Sequence, residues 1–195
     1  APIAQDAAYH QFADARSFLS IPNFLNVVSN LGFLTAGALG LHYLSRVWGK
    51  RTDDVSQQNR SGYRAFFLGA VLIAAGSAYY HAWPSTPALF WDRLPMTVCF
   101  MSLLAVIIGE RMGSRVGRAL LAPLLVAGAA SAIYWRQTEL VGMGDLRPYI
   151  LVQFLPLILM PLICLLFPTT SAKNPHFTRA FGWYALAKIF EVLDA

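Results

Sequence analysis

The sequence predicts an all-α fold, a polytopic membrane helix bundle with six transmembrane helices. Its 195 residues are 56% hydrophobic and only 13% charged, whereas a soluble domain carries about 25% charged residues. The apolar residues form long contiguous blocks, without the alternation that a transmembrane β-barrel requires. Residues 1–23 are polar and irregular, so we expect an N-terminal surface segment there and a single transmembrane helical domain over residues 24–195.

Six stretches have the length of a membrane-spanning helix, which needs roughly 20 predominantly apolar residues. In chain order they are 24–45, 63–83, 89–110, 117–135, 148–167 and 177–194. The connections between them carry residues that end helices, namely Gly49, Pro84 with Pro87, Gly113, Gly142 with Gly144, and Pro168 with Pro175.

Basic residues indicate the orientation of the bundle. Ten of them flank the first, third and fifth connections: Arg46, Lys50, Arg51, Arg60, Arg64, Arg111, Arg115, Arg118, Lys173 and Arg179. The other ends of the helices are flanked by four: Arg16, Arg93, Arg136 and Arg147. The positive-inside rule therefore predicts a multi-pass integral membrane protein whose N-terminal segment is non-cytoplasmic. The net charge of +5 fits this orientation better than nucleic-acid binding, so we expect no nucleic-acid partner.

Polar residues within the predicted spans gather near the non-cytoplasmic side. They are Asn26, Ser29, Asn30, Ser77, His81, Asp92, Arg93, Gln153, Glu191 and Asp194. A charged group at bilayer depth costs a few kcal/mol, so such groups face the bundle interior and pair with one another. Their accumulation at one end predicts a single internal polar site.

The spacing of three of these residues suggests metal chemistry. Ser77 and His81 are four residues apart and share a helix face, and a short link returns the chain so that Asp92 can approach that face. A neutral histidine is a common metal ligand, and a nearby carboxylate can orient it or take a proton from the metal's water. A position at the membrane interface, without metal chemistry, is equally compatible with the spacing. Trp83 and Trp91 would then form an aromatic belt beside an interfacial His81, with Asp92 and Arg93 capping the third helix near lipid headgroups.

Several other polar residues have simpler interpretations. Asn26, Ser29 and Asn30 are expected to serve packing and interhelical hydrogen bonds. His10 and His176 lie in polar segments and are expected to be solvated. The sequence contains no phosphate-binding glycine loop, CxxC pair or nucleophile elbow.

Four segments, taken together, resemble the alkaline ceramidase family, which belongs to a group of seven-helix membrane hydrolases that includes the adiponectin and progestin receptors. They are FADARSFLSIPNFLNVVSN near the start, GSAYYH followed by DRLPM, GDLRPYILVQF, and WYALAKIFEVLD at the end. They occur in the family's order over nearly the whole chain, and the likeness is greatest to bacterial members.

The resemblance implies a zinc-dependent hydrolysis of the amide bond of ceramide, giving a sphingoid base and a fatty acid. His81 is similar to a zinc ligand of the family, Ser77 to a serine beside the metal that hydrogen-bonds the substrate carbonyl or oxyanion, and Asp92 to the aspartate that contacts the water on zinc. The implied partners are a membrane lipid substrate and the bilayer, with no obligate protein partner evident. Hydrolysis of another acyl lipid, or a receptor-like or structural role without catalysis, stays open.

Two features depart from the family pattern. The family completes its zinc site with two histidines four apart on a seventh helix, and the sequence has no HxxxH up to Ala195. Because a catalytic zinc usually has three protein ligands, we expect the sequence as given to bind zinc poorly. Eukaryotic relatives also bind calcium at an N-terminal loop, where Asp14 and Asn23 would be the candidate ligands. Arg16 brings a cation to that loop, and this argues against calcium and favours an ion pair of Arg16 with Asp14 or a loop carboxylate.

Overall fold

The computed structural model describes residues 1–12, 15–46, 59–168, 179–180, 182–184 and 186–187. A short 3₁₀ helix, Ala7–His10, precedes six α-helices: α1 (Phe24–Ser29), α2 (Leu31–Arg46), α3 (Arg60–Ala82), α4 (Thr86–Arg111), α5 (Ser114–Leu140) and α6 (Arg147–Leu166). Residues 179–180, 182–184 and 186–187 are also helical. These ranges contain no β-strand, only an isolated bridge between Phe18 and Ile21. The protein is an all-α bundle, as predicted.

Five spans are long and apolar enough to cross a membrane, with α1 and α2 forming one span together over Phe24–Arg46. They correspond to the first five predicted helices. Most of the predicted sixth span, 177–194, including Glu191 and Asp194, falls outside the described residues. The five spans have the length and composition of an integral membrane protein.

The helices extend beyond the apolar stretches that predicted them. Helix α4 begins at Thr86 and not at 89, because Ser85 is its N-cap and accepts a hydrogen bond from the Ala88 backbone N–H at 3.3 Å. Pro87 lies in the first turn, where a proline has no hydrogen bond to lose. The interpretation that Asp92 and Arg93 cap this helix is therefore wrong, since both lie well inside it.

Helix α4 is central to the described bundle. It packs against α3, α5 and α6, and most of its apolar stretch is buried, whereas a third or less of the apolar stretch of each other span is buried. At Gly76 the backbones of α3 and α4 come so close that a Cβ would collide with the Trp91 carbonyl oxygen. Small residues allow such approaches between membrane helices. Helices α3 and α4 are therefore in backbone contact beside Trp91.

Hydrogen bonds from Ser29 and Asn30 stay within their own helical turn. The Ser29 hydroxyl and the Asn30 amide both donate to the Asn26 carbonyl, at 2.9 and 2.8 Å. The expectation that these side chains bond to other helices is wrong for Ser29 and Asn30. A nearby carbonyl of the same turn satisfies each donor without requiring a partner helix.

Residues 1–12 are the first part of the predicted surface segment 1–23 and are called the N-terminal segment from here on. They lie across one end of the bundle. The Leu146 backbone N–H donates to the Ile3 carbonyl at 2.8 Å, and the Gln5 backbone N–H donates to Glu139 Oε1 at 3.0 Å. We call this the covered end: it consists of the end of α3, the start of α4, the end of α5 and the start of α6. The N-terminal segment thus forms part of the folded structure, and its predicted non-cytoplasmic location stays a prediction.

Candidate functional site

Ser77 and His81 lie in the last two turns of α3, at the covered end. Ser77 is buried and His81 is half-buried. The exposed residues of this stretch, Tyr79 and Trp83, lie on another face of the chain. Because four residues complete slightly more than one helical turn, the two side chains emerge from the same side of α3, as predicted.

Asp92 lies on α4, opposite the α3 turn that carries Ser77. A Cβ built on Gly76 would lie 3.3 Å from the Asp92 backbone nitrogen, so the two helices touch one residue away from Ser77. Asp92 is half-buried. Within the described part of the chain, no hydrogen bond links the side chains of Ser77 and His81 to Asp92. The structure therefore brings together the turns that carry them, and their shared chemistry stays a prediction.

His81 has contacts on two sides from the chain before α1. The Phe12 ring lies 4.7 Å from the imidazole, centre to centre, at a tilt of 51°. The side-chain amide of Asn23 donates to the His81 carbonyl at 2.7 Å. His81 Nδ1 is buried and has no hydrogen-bond partner among the described residues. One ring nitrogen is therefore available to a ligand while the backbone of His81 is fixed.

Asn23 is placed for this contact by an uncommon backbone conformation. Its φ of 48° and ψ of 46° are left-handed, which asparagine adopts more readily than most residues. Its amide nitrogen is engaged by His81, and Asp14, the other candidate calcium ligand, lies outside the described residues. The expectations about calcium and about an Arg16–Asp14 ion pair stay untested predictions.

His10 is half-buried and bonded to α3 and α4, so the prediction that it is simply solvated is wrong. Its Nδ1 lies 3.0 Å from the Tyr80 hydroxyl, and its Nε2 lies 3.1 Å from Thr86 Oγ1. The Tyr80 hydroxyl can also donate to the Tyr9 carbonyl, at 3.2 Å. Each ring nitrogen of His10 therefore has a hydroxyl partner that can donate or accept, one on α3 and one on α4.

The pKa of His10 lies below its ordinary value of 6.5, first because burial disfavours the charged ring and second because Arg93 places a positive charge nearby. The ring is accordingly neutral at pH 7. A neutral ring can bond both hydroxyls, with one nitrogen donating and the other accepting.

Arg93 is a buried cation surrounded by aromatic rings. Its guanidinium carbon lies 4.4 Å from the ring centre of Trp135, 5.0 Å from that of Tyr149 and 5.4 Å from that of Tyr9. Arg93 is 7% exposed, so the interpretation that it meets lipid headgroups at the surface is wrong. Trp83 and Trp91 are exposed, and their place in an aromatic belt stays a prediction.

Asp145 and Arg147 form an ion pair in the turn between α5 and α6. Two bonds from the Arg147 guanidinium, at 2.7 and 2.8 Å, reach the two oxygens of the Asp145 carboxylate. The pKa of Asp145 is lowered, mainly by these hydrogen bonds. Sequence reasoning did not single out this pair, although an aspartate two residues before the first arginine of a helix is a recognisable signal. The pair fastens the turn that also contacts Ile3.

The donors at the covered end fit one position of a metal site. His81 supplies a buried ring nitrogen without a hydrogen-bond partner in the described chain, and such a nitrogen suits a metal ligand. The described residues contain no cluster of three or more histidine, cysteine or acidic side chains that could hold a metal. The fit is therefore limited to a single ligand, with Asp92 and Ser77 on neighbouring turns.

These features define the class of the protein: an all-α membrane helix bundle with a buried polar region at one end. Comparison with models of protein families, with curated proteins and with solved structures finds no match. The likeness to alkaline ceramidases therefore rests on the sequence segments given above and enters as a proposal.

Proposed function

We propose that the protein is a membrane-embedded, zinc-dependent hydrolase that cleaves the amide bond of ceramide-like lipids. The observation that carries this proposal is the buried Nδ1 of His81, which has no hydrogen-bond partner in the described chain. Leaving a buried polar atom unpaired costs about 1–3 kcal/mol. A ligand on this nitrogen would remove that cost, and the resemblance suggests that the ligand is zinc.

In this proposal, His81 would hold the zinc together with the two histidines that the family carries on a seventh helix. Zinc, when bound, lowers the pKa of a coordinated water to about 7 and polarises the carbonyl of the substrate. Phe12 and Asn23 keep His81 in place, one against its ring and the other at its carbonyl. These two contacts restrict the orientation in which a ligand can meet the imidazole.

Asp92 is assigned the proton transfer. Asp92 lies on α4 beside the α3 turn of Ser77, and its carboxylate would accept a proton from the attacking water and return it to the leaving amine. A positioned carboxylate is among the side chains that commonly act as general acid or base.

Ser77 is assigned the stabilisation of developing negative charge. Its hydroxyl would donate a hydrogen bond to the carbonyl oxygen of the amide as that oxygen becomes anionic. Ser77 is 8% exposed, so little water competes for the same oxygen. Removing a donor of this kind typically lowers kcat by about 10²–10³.

The test is hydrolysis by the complete gene product in detergent micelles with zinc present. Ceramide is compared with other acyl lipids, and His81→Gln, Asp92→Asn and Ser77→Ala are compared with wild type. His42→Gln, an exposed histidine on α2, is the matched control. We expect His81→Gln and Asp92→Asn to abolish release of fatty acid and His42→Gln to retain it.

Two results would count against the proposal in different ways. Cleavage of other acyl lipids without cleavage of ceramide would replace the substrate and keep the site. Full activity in His81→Gln, or no hydrolysis of any lipid by wild type that is folded and contains zinc, would overturn the catalytic role and favour a receptor-like or structural protein.

A further inference from the structure

Arg93 carries a charge whose burial is only partly compensated. Its side chain is 7% exposed, and its Nη1 is buried without a hydrogen-bond partner in the described chain. Buried charges in proteins are ordinarily paired and hydrogen-bonded, because removing an ion from water is costly. Contacts with three aromatic faces offset part of this cost, and they leave the N–H donor unsatisfied.

Two carboxylates of this region, those of Asp92 and Glu139, form no ion pair with Arg93 in the described chain. Asp92 precedes it on α4, but successive helical residues diverge by about 100°, and no ion pair joins the two. Glu139 Oε1 accepts hydrogen bonds from the Trp135 indole and from the Gln5 backbone, each at 3.0 Å. In the described chain, therefore, the acidic groups around Arg93 leave its Nη1 without an acceptor.

The aromatic rings leave the guanidinium prepared for an anion. Rings contact a guanidinium through its faces, whereas its N–H groups lie in its plane and form a fork that matches a carboxylate or a phosphate. Trp135 and Tyr149 are buried and come from α5 and α6, so they hold the group from two separate helices. Such a group loses little conformational entropy when an anion binds.

Access to Arg93 depends on the N-terminal segment. Tyr9 is the one of the three ring partners that is exposed, at 47%, and it belongs to the Ala7–His10 turn and not to a transmembrane helix. Displacing this ring would uncover one face of the guanidinium from the covered end. The route therefore opens toward the membrane surface, where lipid headgroups lie.

We propose that Arg93 is the recognition group of an oxyanion site at the covered end, and that the site binds the carboxylate or phosphate of an amphiphile. As a statement about substrates, this rests on the proposed function: the hydrolysed lipid, or the fatty acid released from it, would carry an acidic group that Arg93 binds. The binding of an acidic amphiphile by Arg93 does not depend on whether the protein hydrolyses lipids.

The experiment is isothermal titration of the full chain in nonionic micelles with three ligands of equal chain length: laurate, dodecyl phosphate and dodecanol. We expect the two acidic ligands to bind at least about tenfold more tightly than dodecanol, a difference of about 1.4 kcal/mol. Inorganic phosphate is titrated separately. Comparable Arg93-dependent binding of phosphate alone would support the oxyanion site and identify a soluble ion as its source.

Variants assign the preference to Arg93. Arg93→Met should reduce the tenfold preference to less than about twofold, whereas Arg136→Met should retain it. Arg136 lies at the same end on α5, but its guanidinium is near the ring of Phe90, at 6.0 Å from the ring centre, and not among three rings as Arg93 is. If Arg93→Met does not fold, Tyr9→Ala provides the test. It keeps Arg93 and uncovers it, so binding of the acidic ligands should be retained or tightened.

Three results would overturn the site: equal binding of laurate and dodecanol by wild type, an unchanged preference in Arg93→Met, or loss of the acidic preference in Tyr9→Ala. None of these measurements involves turnover. A protein that hydrolyses ceramide but shows no acidic preference would refute this site alone, and one that binds acidic lipids without hydrolysis would refute the proposed function alone.

Discussion

Replacing Gly76 by alanine tests the packing on which the candidate site depends. The added Cβ would collide with the Trp91 carbonyl, and because that obstacle is helix backbone, no side-chain rotation can relieve it. Overpacking typically costs about 1–3 kcal/mol, and we expect the upper end here. The better helix propensity of alanine returns roughly 1 kcal/mol, which leaves a net destabilisation of about 2 kcal/mol by these two estimates.

Gly32→Ala is the matched control, since nothing lies within 4 Å of a Cβ at Gly32 on α2. It should be neutral or stabilise the protein by up to about 1 kcal/mol. The assay is reversible unfolding in mixed micelles with increasing SDS, followed by far-UV circular dichroism. The reasoning is refuted if Gly76→Ala unfolds at the same SDS fraction as Gly32→Ala, because α3 and α4 would then not be in backbone contact.

Three further predictions concern the covered end. The lowered pKa of His10 means that docking of the N-terminal segment is strongest above the ordinary value of 6.5 and weakens as the pH falls below it. Limited proteolysis of that segment should be faster at acid pH in wild type, and His10→Gln should remove this dependence. Asn23→Ala, which deletes the bond to the His81 carbonyl, should lower the unfolding free energy by about 0.5–1.5 kcal/mol in SDS titration. Asp145→Asn should destabilise the protein at neutral pH. Since the pKa of Asp145 is lowered, this stability difference should shrink as the pH falls below the ordinary value of 3.8.

Each of these has a result that contradicts it. Proteolysis that is independent of pH in wild type would mean that His10 does not control docking. An unchanged unfolding free energy in Asn23→Ala would remove the link between the loop and α3. A stability gap for Asp145→Asn that persists unchanged in thermal unfolding at acid pH would show that the ion pair with Arg147 is not its source.

The spans were predictable because the bilayer imposes a length on any helix that crosses it. Five apolar blocks became five spans. The ends of the helices were harder to predict from hydrophobicity, because a helix can begin at polar residues. Helix α4 begins at Thr86, with Ser85 as its N-cap. That difference of one turn places Asp92 and Arg93 inside α4 and changes the interpretation of both.

The surroundings of the site could not be read from the sequence. His10 is 70 residues from Tyr80 and 76 from Thr86, and no local period connects positions so far apart. The rings around Arg93 come from the N-terminal segment, α5 and α6, three elements whose meeting depends on the packing of the whole bundle. The spacing on one helix predicted that Ser77 and His81 share a face. Contacts between different elements can be known only from the folded structure.

The most direct test of the catalytic proposal is the metal content of the purified complete gene product. Elemental analysis should find about one zinc per wild-type chain, as expected for a catalytic site of this kind. In His81→Gln the bound zinc should fall to a small fraction of that value, while His42→Gln should retain it. Zinc bound equally well by wild type and His81→Gln would show that His81 is not a ligand and would contradict the account.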